Sequence, residues 1–134
     1  MTTKQPEKNW GTMTVGFVHV FVSDFERSLK FYTETLGLVI DYSDGTNWAQ
    51  FVTGPDVSLA IEKCAPDRVE HGSKLVGRFV GVTLMVDDIG SQYDRLVSAG
   101  VKFSGEPEKQ HFGGTLAHLH DPDGNVLTLM QEGK

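Results

Sequence analysis

Apolar and polar positions along the chain fall into one pattern that is laid down twice. From Val15 to Val22 nearly every residue is β-branched or aromatic, as in a strand buried on both faces. Phe25, Leu29, Tyr32 and Leu36 follow at spacings of four, three and four, which is one face of a helix. Ser23 and Glu26 stand in the S-x-x-E arrangement of a capping box, and Gly37 supplies a left-handed stop. After it, "LVIDY" and "WAQFV" read as two strands turned at Asp44-Gly45, and "VSLAIE" as a third after "TGPD". The polar stretch "KCAPDRVEHGSKLVGR" is the one segment with the composition of a linker.

The pattern restarts at Phe79. A buried strand runs into an acidic cap at Asp87 or Asp88, then Ile89, Tyr93 and Leu96 form a helical stripe that ends at Gly100. Laying Val22-Ser23-Asp24 over Val86-Asp87-Asp88 places Phe25 on Ile89, Leu29 on Tyr93 and Tyr32 on Leu96, so the halves are internal repeats. "TLAHLH" and "NVLTLMQ" flank the turn "DPDGN", and they match "WAQFV" and "VSLAIE" at one common offset, with Phe51 on Leu119 and Ser58 on Val126. The expected architecture is α+β, one domain of two tandem βαβββ modules. A tail occupies residues 1–12, the modules 13–63 and 79–134, and the linker 64–78. Each amphipathic helix covers one face of its sheet, and the two uncovered faces are expected to form an eight-stranded cup with the helices outside.

Composition narrows the partners. With 134 residues and 39% hydrophobic content, one core is the natural outcome. A net charge of -6 with scattered Lys and Arg argues against nucleic acid or an anionic membrane and leaves a small molecule as the expected ligand. The single cysteine, Cys64, rules out an intrachain disulfide framework and a Cys-rich zinc site, and suits a reducing cytoplasm. No apolar run approaches the roughly 18 residues needed to span a bilayer, and "MTTKQPEKNWGT" lacks the apolar segment of a signal peptide.

Three stretches, "HVFVSDFERSLKFYTETLGL", "DDIGSQYDRLVSAGV" and "DPDGNVLTLMQ", carry a resemblance to the vicinal oxygen chelate superfamily. It includes glyoxalase I, extradiol dioxygenases and the fosfomycin- and bleomycin-resistance proteins. The resemblance covers Val15 to Gln131 and implies the fold; activity is left open, because the superfamily holds isomerases, lyases, dioxygenases, transferases and pure binding proteins. It also implies a homodimer.

Strand alternation then assigns the cup lining. Phe17, His19 and Phe21 face inward from the first strand, with Trp48, Gln50, Ser58, Ala60 and Glu62 from its neighbours. From the second module come Gly81, Thr83, Met85, Leu116, His118, Val126, Thr128 and Met130. The resemblance places His19 where metal-using relatives carry their first ligand, and imidazole is a common ligand for divalent transition metals. It reads equally as a metal-free wall histidine. The matching positions of the second module hold Thr83 and Thr128, whose hydroxyls are poor ligands. Glu62 is either a ligand beside His19 or a rim residue next to Lys63. His118 completes a possible two-histidine, one-carboxylate set with His19 and Glu62, or else serves as a hydrogen-bonder or general base. His118 and His120 project from one strand face about 7 Å apart, His120 near the mouth. "DPDGN" is rejected as a calcium loop, since Val126 stands where that loop needs glycine. His111 and Phe112, in a loop with Gly113-Gly114 as hinge, either close over a ligand or are ordinary surface.

Two functions follow as expectations. The first is a glyoxalase-like lyase or isomerase, in which a divalent metal (Zn, Ni, Mn or Fe) polarises a small oxygenated substrate and Glu62 or His118 moves a proton. The second is a metal-free protein, like those conferring bleomycin resistance, that sequesters an antibiotic or other aromatic compound. Its contacts would come from Phe17, Phe21, Trp48, Gln50, Thr83, Met85, Phe112, Thr128 and Met130.

Overall fold

The computed structural model describes residues 11–133; all but the last two residues of the expected N-terminal tail lie outside them. The first module runs β1 (Phe17–Val22), α1 (Phe25–Lys30, continued by a π-helical turn over Phe31–Thr35), β2 (Val39–Ser43), β3 (Trp48–Val52) and β4 (Ser58–Lys63). A short hairpin, β5 (Val69–Glu70) and β6 (Ser73–Lys74), occupies the stretch read as linker. The second module runs β7 (Phe79–Met85), α2 (Ile89–Ser98), β8 (Lys102–Phe103), β9 (Glu108–Lys109), β10 (Thr115–His120) and β11 (Val126–Gln131). The α+β fold and the duplication are as the sequence indicated.

The repeat extends to hydrogen-bond detail. Sheet order is β1-β4-β3-β2 in one module and β7-β11-β10-β8 in the other, with the first pair of each parallel. His19 pairs with Ala60 just as Thr83 pairs with Thr128, and Phe21 with Glu62 as Met85 with Met130. Helix caps repeat as well: Asp24 accepts from the Arg27 amide and Asp88 from the Ser91 amide, each at 3.1 Å. Ser23, expected as the first cap, is displaced from that role. Its amide donates to Asp123 Oδ2 at 2.9 Å and its hydroxyl to Asp123 Oδ1, so it ties the modules together instead. Gly37 and Gly100 adopt φ of 83° and 89°, the left-handed stops expected of them. In the β2–β3 loop, Asp44 accepts from the amides of Thr46, Asn47 and Trp48, and those bonds hold its carboxyl below the usual carboxylate range.

One continuous core contains the helix-side residues of both sheets. Val20, Val22, Phe51 and Ile61 come from the first sheet, Leu119, Leu127 and Leu129 from the second, with Phe25, Tyr32, Ile89 and Leu96 from the helices. Such side chains stabilise the fold by roughly 1.5–3 kcal/mol each on burial. Helix contacts cross between modules: Arg95 Nη1 on α2 donates to the Thr35 carbonyl at the end of α1, at 2.8 Å. The covered faces of both sheets contribute to this shared core, and the strands divide into separate sheets, β1-β4-β3-β2 and β7-β11-β10-β8.

Ser28 is a small exception within this core. It is fully buried on α1, and its hydroxyl has no hydrogen-bond partner among the described residues. An unpaired buried hydroxyl costs roughly 1–3 kcal/mol, so Ser28→Ala is expected to raise the thermal midpoint, read by calorimetry, without altering ligand binding.

Candidate functional site

The "DPDGN" turn does more than reverse the chain. Asn125, with no exposed surface, accepts through Oδ1 from the amides of Gly77 and Arg78 at 2.8 and 3.2 Å. Its Nδ2 donates to the Phe21 carbonyl and to Asp121, each at 2.9 Å. Asp121 also receives the Tyr32 hydroxyl at 2.7 Å and the amides of Asp123 and Asn125. Burial pushes the Asp121 carboxyl up, against the pull of these donors, and burial together with Asp121 holds the Tyr32 phenol well above its ordinary range. Tyr32 therefore stays protonated and keeps donating. This polar hub fixes the end of β1, and with it the strand that carries His19.

The uncovered face of the first sheet is an aromatic wall. Trp48 lies edge-on to Phe17 and His19, with ring centroids 5.5 and 5.2 Å apart, and Phe17 meets His19 at 6.4 Å. Trp48 is held in place by a relay: its Nε1 donates to Gln50 at 2.9 Å, and Gln50 donates to Asp41 at 3.2 Å. His19 Nδ1 sits 3.2 Å from Glu62 Oε1, both side chains close to two-fifths exposed. Phe21, 6.0 Å from His19, stands at the rim, where it packs on the small cluster of Cys64, Leu75 and Val76. The Cys64 thiol in that cluster is buried, which pushes its pKa up and keeps it from acting as a ready nucleophile.

The uncovered face of the second sheet is softer. His118 Nδ1 lies 2.8 Å from the Thr128 hydroxyl, with the Phe79 ring against its imidazole at 5.9 Å. Thr83 and Met85 are exposed beside them, next to Thr128 and Met130. Phe79 was missed in the sequence, although it shares the alternation of Gly81, Thr83 and Met85 and so stands on this face, paired with Val126. His120 bonds Ser104 at 3.0 Å and lines a cleft of about 520 Å3 with Arg27, Phe31 and Lys102. That cleft gathers the C-terminal ends of both helices, whose carbonyls such cations complement. Phe112 rests against Gly114 and the His111 ring, 57% exposed.

Within one chain the structure brings His19 and Glu62 together but not His118. No hydrogen bond or ring contact joins the two uncovered faces, and among the described residues no three His, Cys, Asp or Glu side chains converge on one point. Within one chain the donor set fits a divalent ion poorly: of the four repeat-related positions, His19 offers an imidazole, Ala60 nothing, and Thr83 and Thr128 only hydroxyls. Glu62 adds a carboxylate one inward rung along from Ala60.

Residues 14–129 match the family model described as the Glyoxalase/Bleomycin resistance protein/Dioxygenase superfamily. The chain belongs to this superfamily. It is 31% identical over 116 residues to a probable lactoylglutathione lyase of Synechocystis, a match covering 82% of this chain and 88% of that protein. It is also 31% identical over 115 residues to a bleomycin resistance protein of Klebsiella pneumoniae, covering 81% and 84%. Among solved structures, TnmS3, an antibiotic binding protein from Streptomyces sp. CB03234, superposes with a TM-score of 0.70 at 31% identity, covering 91% of this chain and 98% of that one. No helix among the described residues is long and apolar enough to cross a membrane.

Proposed function

We propose that this chain is a metal-independent binding protein that sequesters a planar aromatic compound in a cup built between two copies of itself. The observation that carries the reading is the braced aromatic wall of Phe17, His19 and Trp48, on a sheet face that the described residues leave open. Rigid rings held by hydrogen bonds bind flat ligands at low cost in conformational entropy. The likeness to an antibiotic binding protein and to a bleomycin resistance protein supports the same reading.

The exposed apolar side chains support a homodimer. Phe17, Phe79 and Met85 are 43%, 63% and 53% exposed, an unusual placement for large apolar side chains on open strand faces. Setting the first sheet of one copy against the second sheet of the other would cover both and close two symmetry-related cups. His118 of one copy would then approach His19 and Glu62 of the other.

A glyoxalase-like lyase or isomerase is the second reading, favoured by the one adjacent imidazole–carboxylate pair, His19 and Glu62. Metal content separates the two. Protein purified without a histidine tag is expected to carry substoichiometric metal by elemental analysis and to bind a planar tricyclic fluorophore equally well with and without chelator. Stoichiometric metal that His19→Ala removes would establish the lyase reading instead.

A further inference from the structure

The geometry points to a planar aromatic cation as the ligand, its positive group held by Glu62 against the ring of Trp48. This rests on the binding-protein reading above and adds the charge that the face selects. Glu62 and Trp48 are register partners on adjacent strands, so carboxylate and indole stand side by side. Oε1 of Glu62 takes His19 Nδ1, while Oε2 has no partner among the described residues. Tryptophan is the strongest ring partner for a cation, and a carboxylate beside the ring adds direct attraction. A second carboxylate, Asp41, lies on the far side of Trp48 through Gln50.

The fixed charges that the four strands of this sheet place on this face all have one sign. Strands β1, β2 and β3 contain no Lys or Arg, and the one in β4, Lys63, pairs with Val22, which is wholly buried in the core, so it belongs to the opposite side. An anionic ligand would meet two carboxylates and no Lys or Arg from the strands of this face. A neutral flat molecule would gain stacking alone. A cation gains stacking, the ring quadrupole and the free carboxylate oxygen together, and the carboxylate offsets the cost of taking its charge out of water.

Three tricyclic fluorophores of similar shape test this: 9-aminoacridine as cation, acridine as neutral ligand and anthracene-9-carboxylate as anion, titrated near neutral pH in chelator. The cation is expected to bind about tenfold tighter than either of the others, with an advantage that shrinks as salt is raised. Glu62→Gln, at a part-exposed residue, is expected to remove that advantage, so that 9-aminoacridine binds no tighter than acridine to the same variant. Equal affinity for all three, or a Glu62→Gln variant that keeps the preference, would overturn the charge assignment while the binding reading stood. Failure of all three to bind the wild-type protein would overturn both.

Discussion

Asn125→Ala is expected to lose about 3 kcal/mol of stability, a drop of roughly 10 °C in thermal midpoint for a domain of this size. The size follows from what the side chain satisfies. Its four hydrogen bonds reach the linker at Gly77 and Arg78, the last turn of β1 at Phe21, and Asp121. Alanine leaves two amide donors and a strand carbonyl unpaired where water does not reach, and each such group costs roughly 1–3 kcal/mol, partly relieved by relaxation. Asp121 would also lose a donor while its carboxyl is already pushed up by burial. Asp123→Ala makes the natural comparison. Asp123 bonds Ser23 from a half-buried position, so its loss should cost markedly less. Chemical denaturation of both variants checks the order, and an Asn125→Ala protein as stable as Asp123→Ala would show that the hub does not hold the modules together.

Trp48→Ala is expected to weaken binding of a planar ligand by tenfold to a hundredfold, about 1.4–2.8 kcal/mol. Its indole touches Phe17 and His19 and is fixed by Gln50 and Asp41, so it enters the complex already ordered. Removing it takes away a ring face and releases its neighbours. Trp48 lies outside the buried core, so the variant should fold and melt near the wild type. Gln50→Leu keeps the ring but cuts the relay, and a several-fold loss is expected there. Titration of 9-aminoacridine against the three proteins reads both effects.

Much of this structure was legible in the sequence because local chemistry writes it. Strands announced themselves by β-branched runs, helix ends by Gly37 and Gly100, and the duplication by constant offsets that recur in the strand pairing. Alternation placed Phe17, His19, Trp48 and Glu62 on one face, where their contacts are found. Long-range competition was not legible. Ser23 satisfies the local capping rule as well as Asp24 does, and it is drawn away by Asp123, a residue a hundred positions distant in the chain. The hub at "DPDGN" read as a turn because its partners Tyr32, Phe21 and Gly77 come from elements that the local pattern cannot bring near. The direction of the two sheet faces was hidden for a related reason. Facing toward or away from each other requires the same alternation in every strand, and only packing of both helices into one core decides between them. Strands of two residues, such as β5, β8 and β9, are too short to carry a period at all.

The account stands or falls on a cup shared between chains, and a mixed dimer tests that most directly. Trp48→Ala weakens the first-sheet face and Thr83→Arg fills the second-sheet face, so each homodimer should bind 9-aminoacridine at least tenfold more weakly than the wild type. When the two variants are co-expressed and the mixed dimer is isolated, one cup combines both defects and the other combines two intact faces. The expected result is recovery of one wild-type-affinity site per dimer. A mixed dimer with no recovered site would contradict the account and place each cup within a single chain.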